Sequence, residues 1–326
     1  MSQSEGRVGA RDRGGFDRRS LLKGAAALAV AGGIASGARA APGGLIDAHS
    51  HSWGGDLSRY PMVNGQTAQD RDPPDYDIDT VLAREAQIGV TRVVLVQHIG
   101  YFGYDSSYLT DAAAARPGTF AVVGAVDDSR PDAIDHMAEA KARGVKGFRL
   151  RGVNTERWLT SPVVHALWSI AAAENLVICP LLRDSPDMSD DALLHMAELC
   201  RRYPKTSVCL DHMAHVMPGD EVQLGRLVDL AQFPNVTVKI SGLNKFDKPP
   251  YVRVIPQFLA LLAAFGPERL MWGSDMPVLE RDPPNTLATA FAFAATYDFV
   301  LRRPMLDDKQ RDWLLRGTAE RVFFGG

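Results

Sequence analysis

Beyond residue 44 the apolar positions come in short unbroken runs, separated by longer stretches in which they recur about every 3.6 residues. The runs are LIDA (45–48), TRVVLVQ (91–97), FAVVGAV (120–126), VKGFRL (145–150), LVICPLL (176–182), SVCLD (207–211), VTVKIS (236–241) and RLMWGS (269–274). Their length and their content of Val, Ile and Leu predict eight strands. Helical patterns fill the gaps at 77–88, 105–116, 131–143, 161–174, 189–203, 220–232, 251–265 and 285–302, with a last one near 307–323. Two open on recognisable starts: Ser161-Pro162 as cap and first helical position, and Ser189-Asp190-Asp191 ahead of an apolar stripe. Each strand is followed by a helix long enough to cross over to a parallel neighbour. Eight such units in succession predict an α/β fold of the (β/α)8 TIM-barrel class, a single domain over residues 41–326. A doubly wound open sheet would carry G-x-G-x-x-G after its first strand, whereas GGLIDAH puts its glycines before it.

Composition narrows the function classes. The chain has 326 residues, 46% of them hydrophobic, enough for a large core. Its formal net charge is −3 with no long single-sign block, so nothing recommends nucleic acid or an anionic membrane as a partner. The first forty residues read differently. DRRSLLKG (17–24) leads into a weakly apolar stretch rich in Ala and Gly that ends in Ala38-Arg39-Ala40. This resembles a twin-arginine export signal with cleavage expected after Ala40, which implies a periplasmic protein. The uncharged run between Lys23 and Arg39 is 15 residues, short of the roughly 20 a spanning helix needs, so no stable membrane anchor is expected. Removing residues 1–40 leaves 29 Lys/Arg against 36 Asp/Glu, a net charge of −7. Cys179, Cys200 and Cys209 are expected as buried thiols rather than a disulfide framework.

In a barrel, the polar residues at the carboxyl ends of the strands converge on one rim. Those ends are His49 and His51, then His98, then Arg149 and Arg151, then Arg183, His212, Lys239 with Ser241, and Asp275. Asp47, His49 and His51 alternate and are expected to share one side of the first strand, suiting two imidazoles on one ion with the carboxylate as ligand or supporting partner. His212 would be a third ligand or a donor to a substrate carbonyl, and Asp275 a general base toward water. Arg149, Arg151, Arg183 and Lys245 form a candidate clamp for a substrate carboxylate, with His98 and His215 nearby. The segment from His51 to Tyr76 is long for a connection of this kind. Its Trp53, with Tyr101 of the second loop, would either roof a pocket for a ring-sized molecule or pin the loop down.

With IDAHSHSW near the start, YPM shortly after it, the LDH that ends at His212 and MWGSDMPV around Asp275, the chain resembles the amidohydrolase superfamily, in the branch that holds pyrone dicarboxylate lactonase. The resemblance runs in order over 45–326. It implies hydrolysis of a lactone by water, with Asp275 as base, His49, His51 and His212 as catalytic groups, and a small molecule as substrate. Many members of that superfamily carry a carboxylated Lys or a Glu on the fourth strand and a His on the fifth, where this chain has Arg149-Leu150-Arg151 and Pro180-Leu181-Leu182. By that departure at most one divalent metal is expected, zinc first, on His49, His51 and Asp275 with His212 as a further ligand, and a metal-free mechanism stays open. Nonoxidative decarboxylation or amide hydrolysis on the same barrel is the alternative, and a homo-oligomer is left open.

Overall fold

The computed structural model describes residues 44–151, 154–183, 190–277 and 287–325. The export segment expected over residues 1–40 lies outside them. Eight strands, β1 (Leu45–Ser50), β2 (Val90–Val96), β3 (Phe120–Ala125), β4 (Val145–Arg151), β5 (Val177–Leu181), β6 (Ser207–Leu210), β7 (Val236–Ile240) and β8 (Leu270–Trp272), pair in sequence order and all in parallel. The seam between last and first is held by the Asp275 N–H donating to the His49 carbonyl (2.8 Å) and the His51 N–H to that of Met276 (2.7 Å). The eight expected strands are thus the staves of the (β/α)8 barrel.

Helices at Ile78–Ala86, Ser107–Ala115, Ala133–Ala142, Pro162–Ala173, Ala192–Arg202, Glu221–Asp229, Ile255–Phe265 and Leu287–Leu301 lie between or after the strands. Local chemistry sets several starts: the Asp77 and Ser161 side chains accept from the N–H groups of Thr80 and Val164, and Pro162 takes the first helical position where no N–H is needed. Among the described residues no helix is long and apolar enough to cross a membrane.

Two layers of side chains follow from strand alternation. Ile46, Ala48, Val94, Val96, Val123, Cys179, Cys209 and Met271 fill the barrel interior. Leu95, Phe148, Ile178, Leu210, Val238 and Trp272 face the helices. The C-terminal segment beyond Asp308 adds Ala319 and Phe323 to the inner layer. All three cysteines are free and buried, as their apolar settings imply.

Candidate active site

His49 of β1 and His51 just beyond it reach the interior because the strand carries an irregularity. Asp47 pairs with Val93 and Ser50 with Leu95, so three steps on β1 oppose two on β2. An extra residue of this kind re-aims the side chains beyond it. Asp47 is therefore separated from His49 and His51. It accepts from the N–H groups of His49 and Ser274, both at 2.9 Å, and from the Ser274 hydroxyl. The expectation that Asp47 shares a side with the histidines as ligand or partner is corrected: the carboxylate ties β1 to the residues after β8.

Asp275 is the hub. Its Oδ1 lies 3.6 Å from His49 Nε2, 3.6 Å from His51 Nε2 and 3.7 Å from His212 Nε2, while Oδ2 lies 3.4 Å from Lys245 Nζ. The carboxylate is buried. Burial alone would raise its pKa, but Lys245, then His212 and His51, outweigh that and hold it well below the usual carboxylate range. The His51 Nδ1–H donates to the Val96 carbonyl at 2.7 Å, since that oxygen only accepts, and this turns Nε2 toward Asp275. His212 is fixed through Nδ1 to the Ser241 hydroxyl at 2.9 Å. Burial, with Lys245 adding to it, pushes the His212 imidazole well below its ordinary value.

Behind His49 lies a second, fully enclosed group. Asp211 Oδ1 is 3.3 Å from His49 Nδ1 and 3.1 Å from Lys239 Nζ, and Oδ2 accepts from Arg149 Nη2 and Nε at 2.8 and 3.2 Å. Burial works against a charged Asp211, yet Lys239 and Arg149 keep its carboxyl well below the ordinary range. Burial and the Lys239 charge drop His49 to about 3, so the ring is neutral throughout the working range. Neither Asp211 nor Lys239 received a role from the sequence. The signal was the alternation of Thr237, Lys239 and Ser241 with Val236, Val238 and Ile240, which puts a lysine on the inward face of β7.

The residues after β6 form a left-handed turn: His212, Met213, Ala214 and His215 have φ of 50°, 49°, 52° and 52°. Each such non-glycine residue costs roughly 1–2 kcal/mol, and strain of this kind persists only where surrounding contacts hold it. Arg183 after β5, Gly242 after β7 and Asp275 after β8 are left-handed too, at 53°, 61° and 62°. The turn buries His215, whose Nδ1–H donates to the Leu182 carbonyl at 2.9 Å and whose Nε2 lies 3.4 Å from Lys245 Nζ. Gly273 lets β8 approach β1, since a Cβ there would stand 2.7 Å from His49 Cβ.

The other sequence-derived candidates divide. His98 meets His51 edge-on with ring centroids 5.5 Å apart and stacks on Tyr101 at 4.2 Å. Arg149 is buried against Asp211, whereas Arg151 is exposed at the end of β4. The Arg183 guanidinium is turned to Asp190 (2.6 Å) and Asp220 (3.6 Å) and is not brought to Asp275. Trp53 is wholly buried, its indole N–H donating to the Pro73 carbonyl at 2.6 Å; the Tyr101 hydroxyl accepts from the Asp72 N–H at 2.9 Å. Of the two readings of these aromatics, the geometry corresponds to pins for the long first loop.

The donor set suits one metal ion. Ligand atoms of His49, His51 and Asp275 lie within 4.8 Å of one another. Their separations of 3.6 Å from Asp275 Oδ1 are close to the roughly 3.4 Å edge of a tetrahedron built on zinc bonds of about 2.1 Å. Neither buried Asp275 oxygen makes a hydrogen bond; Oδ2 is ion-paired with Lys245 at 3.4 Å, and Oδ1, ringed by the three imidazoles, is the oxygen left for a cation.

Comparison with known proteins follows the same lines. A family model described as amidohydrolase matches residues 46–325. An L-fucono-1,5-lactonase of Burkholderia ambifaria is 35% identical over 246 residues, which cover 72% of this chain and 80% of that protein. A 4-sulfomuconolactone hydrolase of Rhizobium radiobacter is 27% identical over 73% of this chain and 77% of its own. Among solved structures, an amidohydrolase of Burkholderia multivorans with bound zinc superposes with a TM-score of 0.64 at 24% identity, covering 85% of this chain and 98% of that one.

Proposed function

Because the chain belongs to the amidohydrolase family, we propose that it opens a lactone ring by attack of water on the ester carbonyl, the ring being derived from a sugar acid or bearing a carboxylate. The observation that carries this reading is the position of Asp275, an ionised buried carboxylate facing three imidazole nitrogens and one lysine. The lactonase names of two relatives support the ester bond as the target.

In this scheme Asp275 takes a proton from water as the oxygen attacks the carbonyl carbon. The charge that develops on the carbonyl oxygen is met by Lys245 and by the His212 side of the site. Collapse breaks the ring C–O bond, and the proton held on Asp275 passes to the departing alkoxide, giving a hydroxy acid. Lys245, its side chain 29% exposed, is the member of the cluster that reaches the mouth. Arg151, exposed at the end of β4, would meet a substrate carboxylate there. A metal ion, zinc first among them, would be held by His51 and Asp275 with His212 beside them, His49 joining only where Arg149 releases its Nε2, and would polarise the carbonyl and lower the pKa of water. The twin-arginine-type segment over residues 1–40 supports work in the periplasm, which cell fractionation would check.

The test is a panel of lactones, L-fucono-1,5-lactone among them, and of aromatic carboxylates, run on the wild type and on Asp275→Asn. Ring opening of at least one lactone is expected, with a loss of about two or more orders of magnitude in the variant. Release of carbon dioxide without ring opening would replace this reading with decarboxylation.

A further inference from the structure

Arg149 reaches the nitrogen of His49 that a metal ion at this site has to use. Its Nη2 lies 3.1 Å from His49 Nε2, while the same guanidinium is anchored on Asp211 Oδ2. The neighbours of the ring allow two placements of its proton. With the proton on Nδ1, the ring donates to Asp211 Oδ1 at 3.3 Å and Nε2 accepts from Arg149 at 3.1 Å. With it on Nε2, the ring donates to Asp275 Oδ1 at 3.6 Å, Nδ1 accepts from Lys239 at 3.3 Å, and Arg149 faces an N–H. Each placement sets one ring N–H against a cation, Nδ1–H against Lys239 at 3.3 Å in the first and Nε2–H against Arg149 at 3.1 Å in the second, and the first has the closer contacts. A guanidinium has no lone pair and keeps its protons, so at Nε2 it can only donate. Metal ligation needs that same lone pair.

We infer that Arg149 sets the metal occupancy of the site: the Arg149–His49 hydrogen bond and an ion on His49 exclude each other. Displacing the guanidinium would strip Asp211 Oδ2 of both its Arg149 N–H partners inside the barrel, where an unpaired carboxylate is costly. Arg149, Lys239 and Asp211 together also leave one net positive charge beside His49, which opposes a dication. The inference concerns binding and stands independently of which bond the enzyme cleaves.

The test is equilibrium dialysis of chelator-stripped full-length chain against zinc, with elemental analysis, on the wild type, Arg149→Met, His49→Asn and the double variant. Arg149→Met keeps Asp211 paired with Lys239. It is expected to bind zinc about tenfold or more tightly than the wild type, and the gain should vanish in the double variant. In the wild-type background His49→Asn should change zinc affinity by less than about threefold, since His49 is already taken. Equal affinity of folded Arg149→Met and wild type overturns the inference. So does a tenfold or greater loss in His49→Asn alone, a result that remains readable should Arg149→Met not fold.

Discussion

Gly242 lies directly against His212: a Cβ added to the glycine would stand 2.8 Å from His212 Nδ1 and 3.3 Å from Asp275 Oδ2. The position therefore excludes a side chain twice, through this approach and through its φ of 61°. It brings the turn that carries Lys245 over the carboxylate while the imidazole keeps its bond to Ser241.

Gly242→Ala is accordingly expected to cost about 1–2 kcal/mol from the backbone alone and to push the imidazole off its bond to Ser241. Because His212 faces Asp275, kcat should fall about tenfold or more while the fold persists. Thermal melts alongside steady-state kinetics measure both. An active variant with only a lowered Tm would show that the placement of His212 matters little to the chemistry.

Trp53 offers a contrast, since it is buried to the same degree yet contacts loop rather than reacting groups. Trp53→Phe leaves the Pro73 carbonyl without its donor, and an orphaned buried acceptor costs about 1–3 kcal/mol. Denaturant unfolding should register that loss, while KM stays within about twofold because the indole has no exposed surface to offer a substrate. A large rise in KM at unchanged stability would instead put Trp53 in the substrate pocket.

The fold was legible because each strand is a run of Val, Ile and Leu bounded by a helix of clear period, and a parallel barrel needs nothing more than that alternation. The candidate site was legible in part, as His49, His51, His212 and Asp275 sit at strand ends where the topology brings them together. Asp47 was misplaced because an irregularity between Asp47 and Ser50 leaves no mark in LIDAHS. The left-handed turn at His212–His215 was invisible for a related reason: DHMAH contains no glycine to announce positive φ. Arg183 reads as a strand-end cation like Arg149, but its partners Asp190 and Asp220 come from later segments, and no local pattern specifies such pairs.

Glu85 predicts an unusual pH dependence of stability. It is buried beside Asp47, and burial together with the neighbouring carboxylate raises it well above its ordinary value. An acid whose pKa is raised by folding stabilises the native state below its unfolded pKa, about 4.3, and that contribution is lost as pH rises toward the folded value. The loss is about 1.4 kcal/mol per pH unit across that window. Glu85→Gln keeps a donor toward Asp47 and has no proton to lose. It should be more stable than the wild type at pH 8, with the difference shrinking toward pH 4.5. Urea unfolding at both pH values decides this, and a constant difference would mean that Glu85 titrates normally.

Lys245 bears directly on the charge of Asp275. Burial pushes the Asp275 carboxyl up, and Lys245 is the foremost of the charges that pull it down. Without the ammonium, 3.4 Å from Oδ2, the carboxylate should take up its proton at higher pH. Lys245→Met is therefore expected to move the acid limb of the kcat/KM profile upward by about one unit or more. At neutral pH it should also lower kcat about tenfold to a hundredfold, if the same cation meets the carbonyl oxygen. Lys245→Arg should return the acid limb toward its original position, because charge is what that limb reads, while restoring kcat less fully, because the forked guanidinium sits differently over the substrate. A profile from pH 4 to 9 separates the two effects. An acid limb that stays in place in Lys245→Met would show that the histidines alone keep Asp275 ionised.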